Sequence, residues 1–168
     1  MYLPIILGTA REGRQSEKVA RFMLQELKKA DAEGIILDVR DYRMEATDNT
    51  KKSEKAKKLA ETIGKANGII IVSPEYNHGY PGELKMMLDL LYEEYYGKPV
   101  LICGVSRGAF GGTRMVEQLR LVCVGLGMLP VSNALYFRNV EEFDENGANE
   151  SYSKSTQKAV DELKHYSR

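Results

Sequence analysis

The sequence has only two histidines, His78 and His165, and only two cysteines, Cys103 and Cys123, which lack CxxC spacing. No metal-ligand spacing, Ser-His-Asp set or cysteine nucleophile with a partner can be assembled from so few groups. The cysteines sit in apolar surroundings and read as small buried hydrophobes, in keeping with a reducing cytoplasm. Neither charge is in excess, since Lys plus Arg and Asp plus Glu both number 24. Nucleic acid and membrane surface are therefore not expected as partners, and any anion site must be local. No apolar run approaches the roughly 18 residues of a membrane span, and residues 2–7 have the length of a strand rather than of a signal peptide. The expectation is one soluble, cytoplasmic domain over residues 1–168, with 43% hydrophobic residues to build its core.

What is present is a regular alternation. The most apolar stretch, Gly68-Ile69-Ile70-Ile71-Val72, is bounded by Asn67 and by Ser73-Pro74. It reads as a central strand buried on both faces of a parallel sheet. Residues 2–7, 34–39, 99–104 and 131–137 read as four further strands. From Ser16 the spacing turns helical, with Val19, Phe22, Met23, Leu27 and Ala30 on one stripe, and Ala56, Leu59, Ala60 and Ile63 line a lysine-rich second helix. Helices also read over residues 112–126 and 155–166, with polar connections before Thr50 and over residues 138–151. A helix opening at Pro81-Gly82 carries Leu84, Met87, Leu88 and Leu91 on one stripe. Met86, Leu90, Tyr92, Tyr95 and Tyr96 exceed what that stripe can bury, which predicts a subunit contact. Five strands alternating with five helices predict an α/β sheet covered on both faces.

Three loops follow strands one, three and four and gather at the carboxyl edge of the sheet, where open α/β folds bind ligands. The first, GTAREGRQS, offers the hydroxyls of Thr9 and Ser16, the guanidinium groups of Arg11 and Arg14, and the free N–H groups of a helix N-terminus, a set suited to phosphate. Its spacing imitates a nucleotide P-loop, but arginine replaces the lysine and Gln15 stands where a magnesium-binding hydroxyl is needed, which speaks against nucleotide hydrolysis. GxGxxG is absent, so a dinucleotide fingerprint is not supported. A phosphoacceptor receiver domain would need an aspartate ending strand three, where Ser73-Pro74 stands. The second loop, SPEYNHGYPG, is stiff and rich in turn residues, and His78 reads as a hydrogen-bonding loop residue. The third, GVSRGAFGG, carries Ser106, Arg107, Gly108, Gly111 and Gly112 and lets a flat ligand approach the backbone. Between two backbone walls a planar heteroaromatic ring fits, with flavin the obvious one.

GTAREGRQS after strand one, PEYNHGYPGELK after strand three and a Gly-Gly loop after strand four together resemble the NADPH-dependent FMN reductase family of quinone, azo-dye and chromate reductases. The resemblance runs over residues 2–137, and Pro74 to Asn77, Pro81, Gly82, Leu84, Lys85 and Asp89 form its most specific part. It departs at Met86-Met87, and at Arg14-Gln15 within the phosphate loop. The resemblance implies a flavodoxin-like three-layer sandwich with a five-stranded parallel sheet of order 2-1-3-4-5. It implies FMN as cofactor, with Thr9, Arg11 and Ser16, joined by Arg14 and Gln15, around its phosphate. Pro74, Glu75, Tyr76 and Asn77 would line the ring, largely through backbone atoms, and Ser106, Arg107, Gly108 and Gly111 would approach from the other side. No catalytic side chain is implied, because hydride from NADPH or NADH would pass through the flavin N5 to a small-molecule acceptor. A homodimer or homotetramer is implied too. A non-enzymatic flavodoxin-type electron carrier would share fold and FMN, but such carriers are strongly acidic, unlike this neutral chain.

Overall fold

A computed structural model of the chain describes residues 1–47, 50–146 and 150–167. Parts of the two polar connections, residues 48–49 and 147–149, lie outside the described residues.

The sheet is built from β1 (Ile5–Leu7), β2 (Ile36–Asp38), β3 (Ile69–Pro74), β4 (Pro99–Val105), β5 (Leu129–Pro130) and β6 (Leu135–Phe137), all paired in parallel. The order is β2-β1-β3-β4-β5, with β6 also on β4. Every residue from Ile69 to Ser73 is buried, as a central strand with both faces covered requires. Side-chain alternation divides the core in two. Ile6, Ile69, Ile71, Val100 and Ile102 face α2 (Glu54–Lys65), α3 (Gly82–Leu88) and α4 (Thr113–Gly125). Ile5, Leu7, Ile70, Val72, Leu101 and Cys103 face α1 (Ser16–Lys29) and α5 (Glu150–Tyr166). Cys103 and Cys123 lie in opposite layers as free buried thiols. Burial pushes both thiols up, Cys123 to about 12, which leaves them inert packing residues.

Two expectations are corrected by the path of the chain. The fifth strand is not continuous over residues 131–137. Pro99 and Val100 pair with Leu129 and Pro130, the Val131 N–H still reaches the Val100 carbonyl, and Cys103 to Val105 pair with Leu135 to Phe137, so residues 132–134 bulge out opposite Leu101 and Ile102. The bulge is held from α5, whose Glu162 carboxylate accepts the backbone N–H groups of Ser132 (2.9 Å) and Asn133 (3.2 Å). Arg120 donates to the carbonyls of Val131 and Ser132. These groups are thereby spent on side chains rather than on the ladder.

The third helix is also shorter than its apolar pattern. It ends at Leu88, and a turn leads to a short 3₁₀ segment, Glu93–Tyr95. The change of direction resets the phase, so Leu90, Leu91 and Tyr95 all face the core. Leu90 and Tyr95 are therefore not surplus to it, whereas Tyr92 and Tyr96 are exposed.

Candidate functional site

β1, β3 and β4 are adjacent, with Leu7 opposite Val72 and Ser73 and Pro74 opposite Gly104 and Val105, so their three following loops leave the sheet side by side. They enclose a cavity of about 200 Å³. Its walls are Thr9, Arg11, Gly13, Arg14, Gln15 and Ser16 from the first loop, Pro74, Glu75 and Tyr76 from the second, and Val105, Ser106 and Arg107 from the third, with Val140 beside them. Of the thirteen residues singled out from sequence, only Asn77, Gly108 and Gly111 are missing from the wall.

The first loop is shaped from the β2 side. Arg14, with only 4% of its side chain exposed, forms a bidentate pair with Asp38. It also donates to the Thr9 carbonyl at 2.7 Å and to Glu17 at 3.3 Å. The hydrogen bond to Asp38 leads the causes that raise its pKa. Burial pushes the Asp38 carboxyl upward, but the Arg14 hydrogen bond, the Arg40 N–H and the two arginine charges outweigh it and hold Asp38 below the usual carboxylate range. Arg40, just beyond β2, donates to the carbonyls of Ala10 (3.1 Å) and Arg11 (2.7 Å). Three successive carbonyl groups are thus taken up by two arginines, and Gly13 supplies the left-handed turn (φ +65°) that leads into α1.

The cavity side of this loop is donor-rich and unsatisfied. Ser16 Oγ is buried with no hydrogen-bond partner among the described residues. α1 has no side-chain cap, because Gln15 turns back to the Gly13 carbonyl. The exposed Arg11 guanidinium makes no ion pair among the described residues. A helix N-terminus with an orphaned hydroxyl and an unneutralised arginine has the charge and the hydrogen-bond donors suited to an anion.

The second loop is a tight hairpin. Tyr76 and Gly79 exchange two backbone hydrogen bonds of 2.9 Å, and Asn77 (φ 49°) and His78 (φ 70°) occupy the central positions of a type I′ turn. Asn77 is therefore at the hairpin tip, away from the wall. The His78 imidazole makes no hydrogen bond among the described residues, so this histidine does not tie the loop down. Glu75 turns its carboxylate to α4, accepting from Arg114 at 2.5 Å and from the Met115 N–H at 3.3 Å. Only its backbone is left for the cavity. Tyr76 reaches back to the first loop, its hydroxyl 2.9 Å from Thr9 Oγ1.

The third loop folds over the end of β4. A Cβ on Gly104 would lie 2.4 Å from the Gly111 carbonyl oxygen, and one on Gly111 would lie 2.7 Å from the Tyr136 Cβ. Gly111 therefore serves the packing of the loop on β6. Ser106 donates its N–H to the Phe137 carbonyl and its hydroxyl to the Gly108 carbonyl. Arg107 pairs with Glu141 at 3.1 Å on the exposed rim. Sequence reasoning did not single out Gly13, Val105 and Val140 in the wall, nor Asp38 and Arg40 behind it. Asp38-Val39-Arg40 at the end of a strand adjacent to β1 was the available signal for the last two.

Residues 1–142 match the family model of NADPH-dependent FMN reductase. The chain belongs to that family. This FMN reductase family member is 33% identical over 143 residues to a quinone reductase of Escherichia coli, an alignment covering 80% of this chain and 76% of the relative. It is 28% identical over 159 residues to the NADH-dependent flavin reductase subunit 2 of Lactobacillus johnsonii, covering 87% and 84%. Among solved structures, the flavoenzyme NAD(P)H:(acceptor) oxidoreductase FerB of Paracoccus denitrificans superposes with a TM-score of 0.83 at 19% identity, over 99% of this chain and 96% of that one. The oxidised flavodoxin 1 of Bacillus cereus does so with 0.63 at 16% identity, over 98% and 99%. These likenesses show a flavodoxin-like fold. Family membership makes the FMN reductase an oxidoreductase that uses FMN and NAD(P)H.

Proposed function

We propose that the protein passes hydride equivalents from NADPH or NADH to quinones, azo dyes, flavins or similar small-molecule acceptors, at the cavity formed by the three loops. The observation that carries this siting is the orphaned Ser16 hydroxyl at the uncapped N-terminus of α1, beside the unpaired Arg11. These groups fit the phosphate of FMN, which, when bound, supplies the hydride chemistry that no side chain here can perform. Ser16, Thr9 and Arg11 hold the phosphate, and Gln15 edges it. Arg14 acts from behind by fixing the Thr9 carbonyl and Asp38. The backbones of Pro74, Glu75 and Tyr76 and the turn of Ser106 and Arg107 orient the ring, and Asn77, Gly108 and Gly111 shape the loops that do so.

A cavity of about 200 Å³ is smaller than the roughly 300–1,000 Å³ of pockets that engulf a whole ligand. A cavity of that size would hold part of the FMN, including the phosphate end, and would leave the rest of the ring exposed. Donor and acceptor then alternate at one face, which predicts parallel lines in steady-state kinetics. The purified protein should be yellow and bleach on addition of NADPH, with oxidation sustained by a quinone. FMN bound without NAD(P)H oxidation would instead make the protein an electron carrier.

A homodimer or homotetramer goes with this reading, as does a cytoplasmic location. Tyr96 (76% exposed) lies against Gly127, and α4 turns Leu121 (75% exposed) and Val124 (61% exposed) outward. Such apolar area at helical spacing suits a second copy. Light scattering that gave a monomer at micromolar concentration would remove that assembly. No helix among the described residues is long and apolar enough to cross a membrane.

A further inference from the structure

The Thr9 side chain meets two hydrogen-bonding groups from different directions. Its Oγ1 lies 2.9 Å from the Tyr76 hydroxyl and accepts the Arg11 backbone N–H at 3.3 Å. A threonine hydroxyl has one proton to give and two lone pairs to receive. The Arg11 N–H is a fixed donor and fills one lone pair. The phenol is the more acidic of the two hydroxyls and so the better donor of the pair, and Thr9 Oγ1 is its sole hydrogen-bond partner among the described residues, which favours donation from Tyr76 to Thr9. Both lone pairs of Oγ1 are then occupied.

We infer that Tyr76 is a positioning residue for anion binding: by donating to Thr9 Oγ1 it turns the Thr9 proton into the cavity, toward a phosphate oxygen. Thr9 is only 1% exposed and stands in the cavity wall with Ser16 and Arg11, so its free proton has the cavity as its outlet. Among the described residues neither the Thr9 nor the Ser16 proton then has an acceptor, and an anion in the cavity supplies one. The geometry is rigid on both sides. Tyr76 is pinned by the two backbone bonds of its type I′ hairpin, and Thr9 by the Arg14 bond to its carbonyl. Tyr76 thereby links the loop after β3 to the phosphate loop after β1, so one phenol serves both ends of the same ligand.

This inference rests on the reading that the FMN phosphate lies at the N-terminus of α1. Calorimetric titration of the apoprotein with FMN and with riboflavin tests it without recourse to turnover. The variants are Tyr76→Phe, Thr9→Val, Thr9→Ser and the double variant Tyr76→Phe/Thr9→Val, with urea midpoints recorded for each to confirm a folded chain. Loss of one hydrogen bond to a charged group predicts that Thr9→Val lowers the ratio of FMN to riboflavin affinity by roughly tenfold, and Tyr76→Phe, which leaves the Thr9 proton in place but free to rotate, lowers it by less. The double variant should lose no more than Thr9→Val alone, because without the Thr9 proton the phenol has nothing to orient. Thr9→Ser should restore the wild-type ratio. Equal weakening of FMN and riboflavin by Tyr76→Phe would overturn the inference, since the phenol would then be supporting the ring loop alone, as would additive losses in the double variant. Wild-type protein that did not prefer FMN to riboflavin would remove the phosphate reading itself, and this inference with it.

Discussion

Arg14 and Asp38, 24 residues apart, are locked together by two hydrogen bonds between guanidinium and carboxylate behind the phosphate loop. The pair joins the loop after β1 to the end of β2, and the same guanidinium holds the Thr9 carbonyl. With the Arg14 side chain 4% exposed and Asp38 24% exposed, removal of one partner strands a poorly hydrated charge. Arg14→Ala should therefore cost about 3 kcal/mol of stability in urea unfolding, the lower end for a broken buried pair. Arg14→Lys should recover only part of it, because an ammonium cannot make the bidentate contact. A cost within about 0.5 kcal/mol, as for an exposed side chain, would show that the pair contributes nothing to the fold.

The acid sensitivity of the protein follows from the same pair. Asp38 titrates lower in the folded chain than in the unfolded one, so the unfolded state takes up the proton first as the pH falls. Stability from the pair is complete above the unfolded value, about pH 4, and is lost as the pH falls through the depressed folded value. Comparing wild type with Asp38→Asn by urea unfolding between neutral pH and the acid limb should give a difference that is constant at the upper end and shrinks below about pH 4. A difference that stayed constant across the acid limb would contradict the depressed carboxyl.

The fold was largely legible because the information was local. The run from Ile69 to Val72 read as a two-sided strand and the alternation around it as a parallel sheet covered on both faces, while the strand order came with the family resemblance. The third helix and fifth strand were misjudged where periodicity was carried past a break. Leu90 and Tyr95 look surplus only if helical phase continues beyond Leu88, and it does not. The strand over residues 131–137 looks continuous until Glu162, far along the chain, claims the N–H groups of Ser132 and Asn133. The cavity wall was legible because strand order brings three loop motifs to one edge. The work of each residue was less so. Two arginines in one loop look equivalent as phosphate ligands, and only the position of Asp38 separates Arg14, which is neutralised, from Arg11, which is not.

Glu75 has a structural task that its place in the wall hides. α4 starts at a left-handed Gly112 (φ +81°) with no side-chain cap of its own. The Glu75 carboxylate occupies that position instead, bonded to the Met115 N–H and Arg114 and only 8% exposed. Glu75→Ala should lower stability by about 1–2 kcal/mol, the usual scale for losing a helix N-terminal acceptor with favourable dipole charge. Urea unfolding provides the measurement, and a value within about 0.5 kcal/mol, typical of an exposed surface position, would mean that α4 is held by packing alone.

Arg11 is the counterpart of Arg14 across the same loop, and its substitution should produce the opposite pattern. Its guanidinium is exposed and makes no ion pair among the described residues, so Arg11→Ala should leave apoprotein stability within about 0.5 kcal/mol of wild type. A charge-assisted contact to phosphate is worth roughly 1.5–3 kcal/mol, so FMN should bind about tenfold to a hundredfold more weakly at 1.4 kcal/mol per decade. Riboflavin, which lacks the phosphate, should bind wild type and Arg11→Ala almost equally. The two titrations must be read together. A parallel loss for both ligands would assign Arg11 to the loop conformation or the ring, and the phosphate would then have to be held by Ser16 and the N-terminus of α1 without it.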